Sequence, residues 1–137
     1  MESNKANRPK DNLEDQIFRG RNILVVDDVM INYLLIKAML IKTGAEIIWA
    51  DNGMKAIEIV SSDPLVDLVL MDYNMPGLNG LEATIRLKEI KPGLPVVSQS
   101  TFTDSRHFER ANAPFDAYLT KPIMAEYMIQ EIKRLIH

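Results

Sequence analysis

Four charged side chains define the chemistry this sequence could perform. Asp27 and Asp28 end the apolar run Ile23-Leu24-Val25-Val26, and Asp72 ends Leu68-Val69-Leu70-Met71. Lys121 follows Tyr118-Leu119-Thr120 and precedes Pro122. The two longer runs are apolar at successive positions, the pattern of a strand covered on both faces. Carboxylates brought to neighbouring strand ends repel one another unless a cation lies among them. Oxygen donors with no His or Cys nearby in sequence suit a hard divalent ion such as Mg²⁺, which keeps several waters. Lys121 could hold an anionic group that arrives at the same edge.

The intervening sequence must bring these residues together. Strands are predicted at Ile23 to Asp27, Ala45 to Ala50, Val66 to Met71, Leu94 to Gln99 and Ala117 to Leu119. Between them lie helical patterns. The first carries Ile31, Leu34, Leu35, Ala38 and Met39 and is closed by Gly44. The second carries Ala56, Ile57, Ile59 and Val60 and stops at Asp63-Pro64. The third runs from Leu81 to Ile90, after the turn-rich loop Asn74 to Gly80. A polar helix is expected from Asp104 to Ala111, and a final helix carries Met124, Tyr127, Met128, Ile132, Leu135 and Ile136. Alternating strands and helices imply a parallel sheet with helices on both faces. The site of such a fold lies outside the carboxyl ends of the strands, where the strand order reverses. Asp27, Asp28, Asp72 and Lys121 all fall at that edge.

At 137 residues the chain is one ordinary domain with a short tail. Residues 1–20 read as a polar tail or linker and 21–137 as the globular domain, with a helical turn possible over Leu13 to Phe18. The net charge of −3 supports neither a nucleic-acid surface nor an anionic membrane as partner. The absence of cysteine excludes disulfides and thiol catalysis. No apolar run is long enough to span a bilayer, and the N-terminus is unlike a secretory signal. The chain is predicted to be cytoplasmic.

In combination, these motifs resemble the receiver domain of two-component response regulators, and most of all the receivers of hybrid sensor histidine kinases. The resemblance runs from Asn22 to the C-terminus. It rests on Asp27-Asp28, on Asp72 followed by Asn74-Met75-Pro76-Gly77 and Gly80, on a hydroxyl residue ending strand four, and on Lys121-Pro122. It implies a flavodoxin-like (βα)5 three-layer sandwich, sheet order 2-1-3-4-5. It also implies that Asp72 accepts a phosphoryl group from a sensor histidine kinase or a histidine phosphotransfer protein. Asp28, Asp72 and the backbone carbonyl of Asn74 would hold Mg²⁺, with Asp27 acting through water. Ser100 and Lys121 would contact phosphoryl oxygens, and Tyr118 would be the aromatic whose rotamer follows Ser100. Homodimerisation would use the face formed by the fourth helix, fifth strand and final helix. Phe102, two residues after the hydroxyl position, and Asn74 would govern water access to the acyl phosphate, so that self-dephosphorylation is slow.

Strand four departs from the family pattern, reading Val97-Ser98-Gln99-Ser100-Thr101-Phe102. Pro95-Val96-Val97 sets the register that makes Ser100 the hydroxyl; a one-residue slip would substitute Thr101 and turn each side chain to the other face. His107 reads as a solvated surface residue, His137 as terminal, Trp49 as core or edge packing, and Asp51 and Asp104 as caps or loop charges. The alternatives are an inactive receiver-like docking module, an aspartate-nucleophile phosphatase and a nucleotide binder. The phosphatase should carry Asp-x-Asp after strand one, where this chain has Asp27-Asp28-Val29. The nucleotide binder needs a phosphate loop at that place. The chain is not expected to be a classical enzyme beyond its own phosphorylation and dephosphorylation.

Overall fold

The computed structural model describes residues 15–63, 65–101 and 114–136. Five parallel strands make one sheet: β1 Asn22–Val26, β2 Glu46–Ala50, β3 Val66–Asp72, β4 Val96–Ser100 and β5 Ala117–Thr120. Their order is β2-β1-β3-β4-β5. The helices described are α1 Met30–Leu40, α2 Gly53–Ser62, α3 Gly80–Ile90 and α4 Ala125–Ile136. The predicted flavodoxin-like sandwich and its strand order are those of the chain. The polar helix expected from Asp104 to Ala111, with Phe102 and His107, lies outside the described residues, as do the first fourteen residues and His137.

Burial follows position in the sheet. Ile23 to Val26 of β1 and Leu68 to Met71 of β3 are fully buried, because both strands are central and covered on both sides. Edge strand β2 is only partly covered. Successive residues face opposite layers. Leu24, Val26, Val69 and Met71 pack with Ala56, Val60, Ala83 and Leu87 of α2 and α3. Ile23, Val25, Leu68 and Leu70 pack with Ile36, Leu40, Met128 and Ile132 of α1 and α4.

The core face of α1 differs from the one its spacing suggests. Ile36 and Leu40 are buried, while Ile31, Leu34 and Leu35 are exposed. The helix has apolar residues on nearly every side, so periodicity alone does not select a face. In α4 the buried residues are Met128, Ile129 and Ile132 and Tyr127 is exposed, while Met124 lies one residue before the helix and is exposed too. Residues 15–20 form turns rather than helix. Phe18 enters the core there, and its N–H donates to the Thr43 carbonyl at 2.8 Å.

Local signals end and start the helices. The Asn52 side chain accepts from the Lys55 N–H at the start of α2, and Asn79 accepts from the Glu82 N–H at the start of α3. Asp51 is therefore not the cap; its carboxylate accepts from the Asn52 amide at 2.9 Å. Gly44 ends the first helical segment with φ of 80°, a left-handed conformation that glycine adopts without penalty. Gly80 starts α3 so close to β3 that a Cβ there would lie 2.3 Å from the Asp72 carbonyl oxygen.

Candidate functional site

Sheet register brings the acidic residues level. Val26 pairs with Met71, so Asp27 and Asp72 leave adjacent central strands at the same height. Ser100 pairs with Thr120, which sets Lys121 one step beyond. Carboxylate oxygens of Asp27, Asp28 and Asp72 lie within 4.8 Å of one another. Lys121 Nζ donates to Asp72 Oδ1 at 3.3 Å and lies 3.9 Å from Asp27 Oδ2. The Lys121–Pro122 peptide is cis, and the Lys121 N–H donates to the Ser100 carbonyl at 2.7 Å.

The three aspartates occupy different environments. Asp27 is fully buried, and its Oδ1 accepts from the Val29 N–H at 2.9 Å and from Asn32 Nδ2 at 3.3 Å. Its Oδ2 is buried with no hydrogen-bond partner. Asp28 is exposed. Asp72 is 4% exposed, and its pKa is pushed up to about 6. Burial is the largest cause; Lys121 pulls the other way, and the negative charges of Asp27 and Asp28 add to the rise. Among the described residues, the Lys121 ammonium pairs with Asp72 and Asp27, and Asp28 completes the group of three carboxylates. The oxygen-only donors and the orphaned Asp27 Oδ2 fit a hard divalent cation such as Mg²⁺.

The remaining predicted residues differ in exposure. Ser100 is buried with its Oγ unpartnered, whereas Thr101 is exposed. Asn74 is exposed in the loop after β3. Tyr118 is half-buried on β5, its ring edge-on to Phe115 with centroids 5.9 Å apart. Burial raises its phenol pKa, with Asp116 a lesser cause. Phe102 falls outside the described residues.

Three nearby residues take part in the site without a sequence signal that announces it. Residue type suggests packing alone for Trp49, yet its Nε1–H donates to the Asp27 backbone carbonyl at 2.9 Å. Its ring stacks on Tyr33 with centroids 5.2 Å apart. Asn32 orients Asp27, and Gln99 is a buried amide on β4. Gln99 lies between Ser98 and Ser100 in β4, so its residue type alone does not single it out.

An open parallel sheet with acidic strand ends and a facing lysine defines a doubly wound α/β domain with its candidate site at the switch point. The family model described as response regulator receiver domain matches residues 23–133, and the chain belongs to that family. The autoinducer 1 sensor kinase/phosphatase LuxN of Vibrio campbellii is 36% identical over 100 residues, covering 73% of this chain and 12% of its own length. The sensor histidine kinase GacS of Pseudomonas protegens is 33% identical over 121 residues, covering 83% of this chain and 13% of its own length. The chain therefore spans only about an eighth of these relatives. A solved receiver domain protein from Clostridium thermocellum superposes with a TM-score of 0.79 at 26% identity, covering 85% of this chain and 94% of that one. The chemotaxis protein CheY4 of Vibrio cholerae shares the fold, with a TM-score of 0.75 at 22% identity over 84% of this chain and 98% of that one. Receiver domains of two-component signalling, as found in hybrid kinases, are thus the class to which this chain belongs. Among the described residues, no helix is long and apolar enough to cross a membrane.

Proposed function

We propose that Asp72 accepts a phosphoryl group from a phosphohistidine on a sensor histidine kinase or a histidine phosphotransfer protein. One observation carries the reading: Asp72 sits nearly buried at a strand end, 3.3 Å from Lys121 and grouped with two further carboxylates. An Asp72 carboxylate oxygen would attack phosphorus in line, forming a P–O bond as the P–N bond to the donor imidazole breaks. Lys121 would offset charge on the transferred group, and the Ser100 hydroxyl, without a partner in the resting state, would donate to one of its oxygens. Asp28, Asp72 and the Asn74 carbonyl are the groups that would hold Mg²⁺, with Asp27 supporting it through water. A bound ion would supply positive charge to the phosphoryl oxygens.

The switch follows from the same contacts. Drawing Ser100 toward the phosphoryl group would free space next to Tyr118, whose ring would turn inward. This requires contacts that differ between the two states, and the new charge-assisted hydrogen bonds provide them. The face built from β5 and α4 would then change shape, offering a homodimer or partner surface. The phosphodonor would approach over α1, where Val29, Met30, Ile31 and Leu34 are all at least 44% exposed beside the acidic cluster. The domain unit at residues 21–137, the absence of a direct nucleic-acid partner and a cytoplasmic location belong to the same proposal.

Acetyl phosphate with Mg²⁺ tests it. The expected product carries one phosphate, stable to acid but labile to base and hydroxylamine, and EDTA prevents its formation. Equal labelling of Asp72→Ala, or label mapped to His107, would refute the assignment.

A further inference from the structure

A cleft of about 250 Å³ opens between α1 and the turn after β5, lined by Leu35, Ile36, Met39, Gln99, Lys121 and Ile123 among others. Its walls are mainly apolar, with Ile36 buried at 3% exposure and Leu35 at 53% on the rim. Gln99 is the exception. It is 1% exposed, and its Nε2 has no hydrogen-bond partner. A buried donor without an acceptor is unfavourable, and an apolar side chain at this position would avoid the problem. The other polar groups at the cleft are already engaged: Asn32 Nδ2 donates to Asp27, and Lys121 Nζ to Asp72. The missing group is therefore an acceptor oxygen with apolar surface behind it.

Charge narrows its class. Asp27, Asp28 and Asp72 lie beside the wall formed by Lys121, and among the described residues its ammonium is the cation paired with them, at Asp72 and Asp27. An anion would meet net negative potential, and a cation would settle among the carboxylates instead. The volume is below the roughly 300–1,000 Å³ typical of sites for drug-sized ligands. We propose that this cleft binds a small uncharged carbonyl compound, its oxygen accepting from Gln99 Nε2 and its hydrocarbon part lying against Leu35, Ile36, Met39 and Ile123. Because Lys121 is both a wall of the cleft and the partner of Asp72, occupation would alter phosphoryl acceptance. This coupling rests on the phosphoacceptor reading; the binding site does not.

The test uses hexanamide as probe and hexanoate as its charged counterpart, with the full chain labelled with ¹⁵N and at methyl groups. Hexanamide should shift the Gln99 side-chain NH₂ saturably and give intermolecular NOEs to the Leu35, Ile36 and Met39 methyls. Hexanoate should bind distinctly more weakly. Gln99→Met, which keeps length but removes the donor, should weaken hexanamide about 3–10-fold. Absence of saturable shifts, NOEs to methyls elsewhere, or equal binding of amide and carboxylate overturns the site. Equal affinity in a folded Gln99→Met overturns the role of Gln99, and the NOEs in the parent chain decide the site even if that variant does not fold. Saturating hexanamide should change the acetyl phosphate labelling rate by at least twofold. An unchanged rate in a chain that labels overturns the coupling, whereas a chain that never labels counts against Asp72 as acceptor and leaves the binding result intact.

Discussion

At the scale of single residues, the acidic cluster places an electrostatic burden on the fold. Asp72 has its pKa raised from 3.8 to about 6. A carboxyl whose folded pKa exceeds its unfolded value holds its proton longer in the fold. Metal-free stability therefore falls as pH rises from about 4 to about 6 and is level above that. Asp72→Asn removes the ionisation, so in EDTA at pH 7.5 it should be more stable than the parent, by on the order of 2–3 kcal/mol from urea midpoints. The gain should vanish near pH 4; a gain independent of pH would contradict ionisation of a buried carboxyl as its cause. Mg²⁺ tests the neighbouring charge. Asp28→Asn should weaken Mg²⁺ binding and slow labelling of Asp72, and an unchanged affinity by calorimetric titration would remove Asp28 from the ligand set.

At the scale of elements, the junction of β3 with α3 holds the acceptor in place. The helix begins where backbone meets backbone: the Gly80 N–H donates to the Tyr73 carbonyl at 3.0 Å, and a Cβ would strike the Asp72 carbonyl oxygen. Gly80→Ala should cost about 1–3 kcal/mol through forced displacement of the strand end. It should also lower the labelling rate of whatever fraction remains folded, measured by acetyl phosphate at matched folded concentration. Strands β1 and β3 are legible in sequence because each carries four successive apolar residues, Ile23 to Val26 and Leu68 to Met71, and the aspartates that follow mark their ends. The first helix is less legible. Met30-Ile31-Asn32-Tyr33-Leu34-Leu35-Ile36 has too many apolar residues to reveal which face is buried. Asp27, Asp28, Asp72 and Lys121 can be grouped from their strand-end positions. The hydrogen bond from Trp49 cannot, because its acceptor is a backbone carbonyl, which leaves no mark on residue type.

At the scale of the whole molecule, one edge of the sheet carries both the acidic cluster and an apolar rim. Ile31 and Leu34 on α1 are exposed at 59% and 44%, and neither belongs to the buried core. If a macromolecular donor docks on this rim, Ile31→Glu with Leu34→Glu should slow phosphotransfer from a phosphohistidine protein at least tenfold. Labelling by acetyl phosphate, which needs no docking surface, should change little. Parallel losses with both donors would show that the substitutions had damaged the acceptor site instead. The indole pinned to the Asp27 carbonyl has a further consequence. Trp49 is the only tryptophan in the chain, so its fluorescence comes from a single chromophore anchored beside the acidic cluster. Charge arriving at that cluster should perturb the emission, giving a label-free optical record of occupancy, while events on the opposite edge of the sheet should leave the signal unchanged.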